Sequence, residues 1–207
     1  MIRKLQEAAR PRVEGEREGE ILDATLALLL EAGYDRLTMD AVATRARASK
    51  ATLYRRWSSK SALVVDALLR SKRSPDLRDV DTGSLRGDLL ATYCGPGGMT
   101  DRDNVQVLTA VMTALHTDED FAVEFRDRFL APKVEVSSRI YARAAARGEL
   151  SPDVDLSLLG PALAGILLHR SFLLGEQATV ATIEKVVDQI ILPAATGRPY
   201  SLPKDNA

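Results

Sequence analysis

Residues 38 to 60, TMDAVATRARASKATLYRRWSSK, set two short apolar-sided helices behind two capping hydroxyls, and that spacing constrains the fold more than any other segment. Thr38 is placed to accept a hydrogen bond from a free backbone N–H of the first helix, in which Met39, Val42, Ala43 and Ala46 recur at i, i+3, i+4 and i+7 on one side. Asp40, Thr44 and Arg45 are left to the other side. After a short turn Ser49 is a second cap, and the next helix runs from about Lys50 to Trp57, with Leu53 and Trp57 stacked i, i+4 into a core. Its outward side carries Lys50, Thr52, Tyr54, Arg55 and Arg56. Ala51 and Thr52 are small enough for a helix N-terminus to approach base edges closely while Lys and Arg around them neutralise phosphates, which is the docking arrangement of a helix-turn-helix.

Charge supports the same reading. Residues 34 to 60 hold seven basic side chains against two acidic ones, a local +5, although the whole chain is −1. A basic module on an acidic body attaches to a polyanion through one face and stays soluble.

The flanking segments are helical too. Glu20 to Ala32 is apolar at Ile21, Thr25, Leu28 and Ala32, with Leu22, Leu26 and Leu29 widening the stripe, and Gly33 is the left-handed residue that ends it. Ser58 or Ser59 caps a further helix with Leu63, Val64, Ala67 and Leu68 inward. Lys60 then lies in its first turn, where the helix dipole disfavours a cation; a phosphate bound there would relieve the conflict, and an ordinary solvated lysine is the alternative. SKRSPDLRDVDTG is the linker. Ser84 caps a segment to Tyr93, closed by the breaker Gly95-Pro96-Gly97-Gly98, in which no phosphate-binding Gly-Lys-Ser/Thr follows. Asn104 to His116 reads as one helix, and another begins near Phe121, is interrupted or kinked at Pro132, and resumes from Val134 to Arg147, where Gly148 stops it. Two very apolar helices follow, roughly Leu158 to Leu174 and Val180 to Leu192, and the Pro-containing tail from Pro193 is expected to be disordered. No segment has the period of a strand, so the protein is expected to be all-α.

From Gly19 to Leu68 the chain resembles the N-terminal domain of the tetracycline-repressor (TetR) family of transcriptional regulators. The resemblance rests on Gly33-Tyr34, Leu37-Thr38-Met39, Val42-Ala43, Ala46, Ser49, Thr52-Leu53-Tyr54, Trp57 and Lys60 to Leu63. One departure is notable: the family has Gly and then a larger apolar residue in the turn, whereas this chain has Arg47 and Ala48. A positive φ at Arg47 would cost on the order of 1 kcal/mol. The resemblance implies a three-helix domain with a helix-turn-helix, residues 15–70, joined to a C-terminal helical bundle, residues 84–193, that carries a ligand pocket and a dimer interface. It implies Lys50, Ala51 and Thr52 facing bases, with Thr38, Tyr54, Arg55 and Lys60 on phosphates and Ser49 as the cap of the reading helix. The partners implied are double-stranded DNA with a palindromic operator, a small-molecule effector and a second copy of the chain; no cofactor is expected.

Further expectations concern the bundle. Tyr93, Met99, Met112, Phe125, Phe129, Tyr141, His169 and Phe172 are candidates for pocket lining, against the plainer reading that Met and aromatic residues at helical spacing are core. The helix from Leu158 is apolar nearly all round, so Ile166 and Leu167, with Ile183 and Val187 of the last helix, are expected at a dimer interface, where Glu at Leu167 or Ile183 would yield a monomer. With two histidines and Cys94 alone there is neither a metal cluster nor a disulfide, and no nucleophile-base set marks an enzyme. No apolar run approaches the roughly 18 residues of a membrane span, and MIRKLQEAAR lacks the apolar stretch of a secretory signal, so a cytoplasmic protein is expected. A constitutive DNA-binding regulator without an effector is the alternative, and a small helical enzyme the more distant one. The N-terminal arm, with Arg3, Lys4, Arg10 and Arg12, adds positive charge.

Overall fold

A computed structural model describes residues 14–71, 80–95 and 98–197, and every regular element among them is helical. The basic arm, most of the linker and the chain beyond Gly197 lie outside the described residues. The elements are α1 (Glu14–Ala32), α2 (Met39–Arg45), α3 (Lys50–Arg56), α4 (Lys60–Ser71), α5 (Leu85–Cys94), α6 (Arg102–Val111), α7 (Ala114–Thr117), α8 (Glu119–Glu124), α9 (Ala131–Ala146), α10 (Leu156–Leu173), α11 (Val180–Val186) and α12 (Leu192–Ala195), with π-helical turns at Phe125–Leu130 and Val187–Ile191. The chain divides into two compact units, one ending at Ser71 and the other beginning at Lys72.

In the first unit α4 lies along α1, and α2 packs on α1. Ile21, Leu29, Leu53, Trp57, Leu63 and Leu68 are among its buried side chains, and the Trp57 indole N–H donates to Asp66 at 2.7 Å. Arg70 of α4 pairs with Asp23 of α1 at 2.9 Å. Helix α1 starts six residues before Glu20, where apolar periodicity first shows it; Glu14 to Gly19 is acidic-rich, which suits the positive end of the helix dipole but carries no apolar stripe to read. Gly33, at φ +77°, ends α1 as expected.

The second unit buries Leu85 and Leu89 of α5, Val136, Ile140 and Tyr141 of α9, Leu159, Leu163 and Leu167 of α10, and Ile183, Val187 and Ile191 of the final helical segment in one core. Both π turns run directly into a proline segment. The Ala131 N–H donates to the Arg126 carbonyl and the Leu192 N–H to the Val187 carbonyl, each five residues back, immediately before Pro132 and Pro193. Proline offers no N–H and crowds the carbonyl four residues before it, so widening the preceding turn lets the helix continue. The interruption expected at Pro132 is therefore a register change upstream of it. For the same reason the tail does not begin at Pro193: Leu192–Ala195 is helical, Ala195 is buried, and its carbonyl accepts from the Ser151 N–H at 2.8 Å. The helix expected over Asn104 to His116 is broken at Met112-Thr113 into α6 and α7. Helix α10 is long and apolar enough to cross a bilayer by length and composition, although no single uninterrupted apolar run in it suggests this. Leu159, Leu163 and Leu167 on one side of it are nonetheless buried in the unit's own core.

One carboxylate organises the start of this unit. Asp88 is fully buried; it accepts from the Thr82 N–H at 2.6 Å and the Thr82 hydroxyl at 2.8 Å, and from Arg147 at 3.3 Å, with Arg143 at 3.5 Å. Arg143 also donates to the Val80 carbonyl at 2.9 Å, and Glu149, bonded to Arg147, accepts the Leu85 N–H at 2.7 Å. Burial opposes the charge on Asp88, but the Thr82 bonds and the two guanidinium groups outweigh it and hold its carboxyl below the usual range. Asp88→Ala leaves both arginines facing a buried gap and is expected to cost about 3 kcal/mol at neutral pH, read by urea unfolding. Because the folded pKa is depressed, the contribution of Asp88 is complete above its unfolded pKa of about 3.9 and is lost as pH falls through the lower folded value; the variant should lack that part of the acid limb.

Candidate nucleic-acid interface

Both expected caps are formed. Thr38 is extended, with φ −128°, and its hydroxyl accepts the Ala41 N–H at 3.1 Å. Ser49 accepts the Thr52 N–H at 3.1 Å, and the Ser49 and Thr52 hydroxyls lie 2.8 Å apart. Met39, Val42, Ala43 and Ala46 face inward, as do Leu53 and Trp57. What remains of α3 faces outward: Lys50, Ala51, Tyr54, Arg55 and Arg56 are exposed and Thr52 is half-buried.

The turn between the helices is a Schellman motif. The Ala48 N–H donates to the Ala43 carbonyl at 2.8 Å and the Arg47 N–H to the Thr44 carbonyl at 3.1 Å, which puts Arg47 at the left-handed position with φ +51°. At the end of α9 the same bond pattern is built around Gly148, from Glu149 to Ala144 and from Gly148 to Ala145. Arg47 is the only non-glycine with positive φ among the described residues, so the strain expected from the sequence is present where the sequence put it.

The basic side chains are held by acids brought from elsewhere in the unit. Lys50 pairs with Asp40 at 2.7 Å, a hydrogen bond that raises the lysine pKa with direct attraction by the same carboxylate adding to it. Arg45 grips Glu31 at 2.6 and 3.0 Å, and Arg56 pairs with Glu18 at 3.2 Å. Exposed pairs of this kind contribute little and exchange readily, so an anion can take over any of the three cations. Among the described residues Arg55 makes no ion pair and is exposed. Ser59, rather than Ser58, caps α4, accepting from the Ala62 N–H at 3.0 Å. Lys60, the first residue of α4, neither floats in solvent nor points at a helix end alone: its ammonium donates to the Tyr34 carbonyl at 3.3 Å and sits 3.9 Å from the centre of the Tyr34 ring. An ammonium has three donors, so a phosphate oxygen can still be bound.

Thr38, Ser49, Lys50, Ala51, Thr52, Tyr54, Arg55 and Lys60 thus all belong to the first unit, on the starts of α2, α3 and α4 and the outer side of α3. The pocket candidates of the second unit are not one wall. Tyr93 and Tyr141, with Met99 beside them, join its core; Phe125 and Phe129 stack on each other, ring centres 4.7 Å apart, in a row with Phe121; Phe172 is half-buried; Met112, 39% exposed, and His169 face outward. The expected interface set needs a larger correction. Leu167, Ile183 and Val187 are fully buried in the unit's own core and offer no surface to a second copy, and only Ile166 is partly accessible. All-round apolarity hid which side of α10 faces its own bundle. Sequence reasoning also missed the contacts of Arg17 with Arg47, Glu31 with Arg45 and Glu18 with Arg56, which span 14 to 38 residues and follow no local spacing.

Residues 21–67 match the family described as bacterial regulatory proteins, tetR family, and residues 79–190 match the tetracyclin repressor-like, C-terminal domain. An uncharacterized HTH-type transcriptional regulator of Mycobacterium bovis is 37% identical over 183 residues, covering 87% of this chain and 88% of that protein. A DNA-binding transcriptional repressor TetR of Mycobacteroides abscessus is 36% identical over 181 residues, covering 85% of this chain and 92% of that protein. The crystal structure of a TetR family transcription regulator superposes with a TM-score of 0.62 at 31% identity, covering 88% of this chain and 100% of that one.

The left-handed arginine gives a direct test of the turn. Arg47→Gly removes strain of about 1 kcal/mol but adds freedom to the unfolded chain, so a net gain on the order of 0.5 kcal/mol is expected in thermal unfolding; a loss of stability would mean that the turn is not strained.

Proposed function

The chain belongs to the tetracycline-repressor family, it is a DNA-binding transcriptional regulator, and we propose that it is a repressor released from a palindromic operator by a small, mostly apolar ligand. The observation that carries the DNA half is the pair of capped helices, with Leu53 and Trp57 turned inward and the basic side of α3 left outward. Residues 15–70 are the reading domain and residues 84–193 the ligand-binding and dimerisation domain. Lys50, Ala51 and Thr52 face bases; Thr38, Tyr54, Arg55 and Lys60 hold phosphates; a regulator of chromosomal DNA works in the cytoplasm.

The effector half is supported by polar groups of the second unit that are shielded from solvent. Burial raises the pKa of the Tyr93 and Tyr141 hydroxyls, and the Ser137 and Ser171 hydroxyl oxygens are shielded with no hydrogen-bond partner among the described residues. Shielded hydroxyls without a partner suit a ligand with a few polar atoms. Such a ligand acts by binding better to a conformer whose two reading heads no longer match the operator. A thermal-shift screen of small apolar compounds, followed by DNA release with any that stabilise the protein, tests this.

For the dimer, α10 and the last helix remain the pairing elements, through the exposed part of their apolar surface rather than Leu167, Ile183 and Val187. Leu158 (71% exposed), Pro161, Gly165 and Phe172 follow one another at helical spacing on the side of α10 opposite Leu159, Leu163 and Leu167, and Leu173 (73% exposed) and Ile190 add apolar area nearby in the chain. Leu158→Glu is expected to give a folded protein at the 22.5 kDa monomer mass by light scattering, whereas Leu167→Glu should unfold the second unit. On DNA, Lys60→Ala should weaken binding alike on all sequences and reduce the salt slope by about one, while Thr52→Ala should change which sequence is preferred. An unchanged slope for the first would remove the phosphate role of Lys60.

A further inference from the structure

The left-handed position of the turn, where glycine carries no strain, holds Arg47 here and is braced from outside. Arg17 of α1, half-buried, reaches the turn thirty residues further along the chain, with one guanidinium nitrogen on Glu20 at 2.6 Å and the other donating to the Arg47 carbonyl. It lies in an open cleft floored by Ala24, Ala27 and Ala46, side chains small enough to leave the guanidinium room between α1 and α2. The carbonyl it holds belongs to the peptide joining Arg47 to Ala48, directly before Ser49, whose hydroxyl fixes the start of α3. A non-glycine residue at φ +51° has easier conformations available, and a planar two-armed donor anchored by Glu20 is well shaped to disfavour them.

We propose that Arg17 is a positioning residue for DNA reading: by holding the Arg47 carbonyl it keeps the turn left-handed and so sets the angle at which α3 meets the major groove. The proposal rests on α3 being the docking helix. The Arg17 guanidinium is already committed to Glu20 and the Arg47 carbonyl, so the effect assigned to it is on fit rather than on attraction.

The test uses the full chain and two probes: the duplex that the wild-type protein selects most strongly from a randomised pool, and a scrambled duplex of equal length and composition. Arg17→Ala should weaken binding to the selected duplex about fivefold while leaving the scrambled duplex and the salt slope unchanged. Arg47→Gly, which needs no clamp, should bind like the wild type, and the double variant Arg17→Ala/Arg47→Gly should recover to within about twofold. Arg17→Met, which keeps a stem over the cleft without a donor, covers the case in which the alanine variant does not fold and should show the same loss and the same recovery. Unchanged affinity of the Arg17 single variants, no recovery in the double variants, or a salt slope reduced by about one would each overturn the positioning role. Arg55→Ala separates this from the underlying reading: if it leaves affinity and slope unchanged on the selected duplex, α3 is not the docking helix and the proposal falls with it.

Discussion

A helix of seven residues does not persist alone in water, so whatever α3 does depends on the interactions that fix its two ends. At the start the Ser49 hydroxyl takes the Thr52 N–H; at the end Leu53 and Trp57 are sunk into the unit, and the Trp57 indole is tied to Asp66 of α4. Only the side between these anchors is free. That side is the one with Ala51, Thr52, Tyr54 and Arg55, and its chemistry of small, hydroxylated and basic groups is meaningful because the backbone beneath it is held still. The turn ahead of it is part of the same device: a strained residue is tolerated because its two flanking N–H groups and its carbonyl are all bonded.

The second unit solves a different problem. Its core is mostly aliphatic, and Asp88, Arg143, Arg147, Thr82 and Glu149 satisfy one another near the start of the unit. Among the apolar side chains left exposed, Leu158 and Leu173 of α10 are the most accessible. A buried charge cluster at one place and exposed apolar side chains at another fit a bundle that holds its own shape and suits the proposed pairing.

Much of this was legible in the sequence where the determinants are local. Caps, i, i+4 stripes and left-handed stops at Gly33 and Gly148 depend on residues within one turn of each other, and Thr38, Ser49, Leu53 and Trp57 lie where that logic puts them. Three kinds of feature were not legible. A helix with apolar residues on every side does not say which side is inward, so Leu167, Ile183 and Val187 were misplaced on an interface. A proline signals trouble but not its remedy, which here is a π turn upstream of Pro132 and of Pro193. Contacts across long stretches of chain, such as Arg17 with the Arg47 carbonyl or Lys60 with Tyr34, have no spacing to read.

The central claim is that two copies of α3, carried by a dimer, read DNA together. Hydroxyl-radical footprinting of the wild-type protein on its selected duplex measures this most directly. The account predicts two protected half-sites related by a two-fold axis, with centres about one helical turn, roughly 34 to 36 Å, or a whole multiple of it apart. A single protected patch, or protection spread evenly along the duplex, would contradict it.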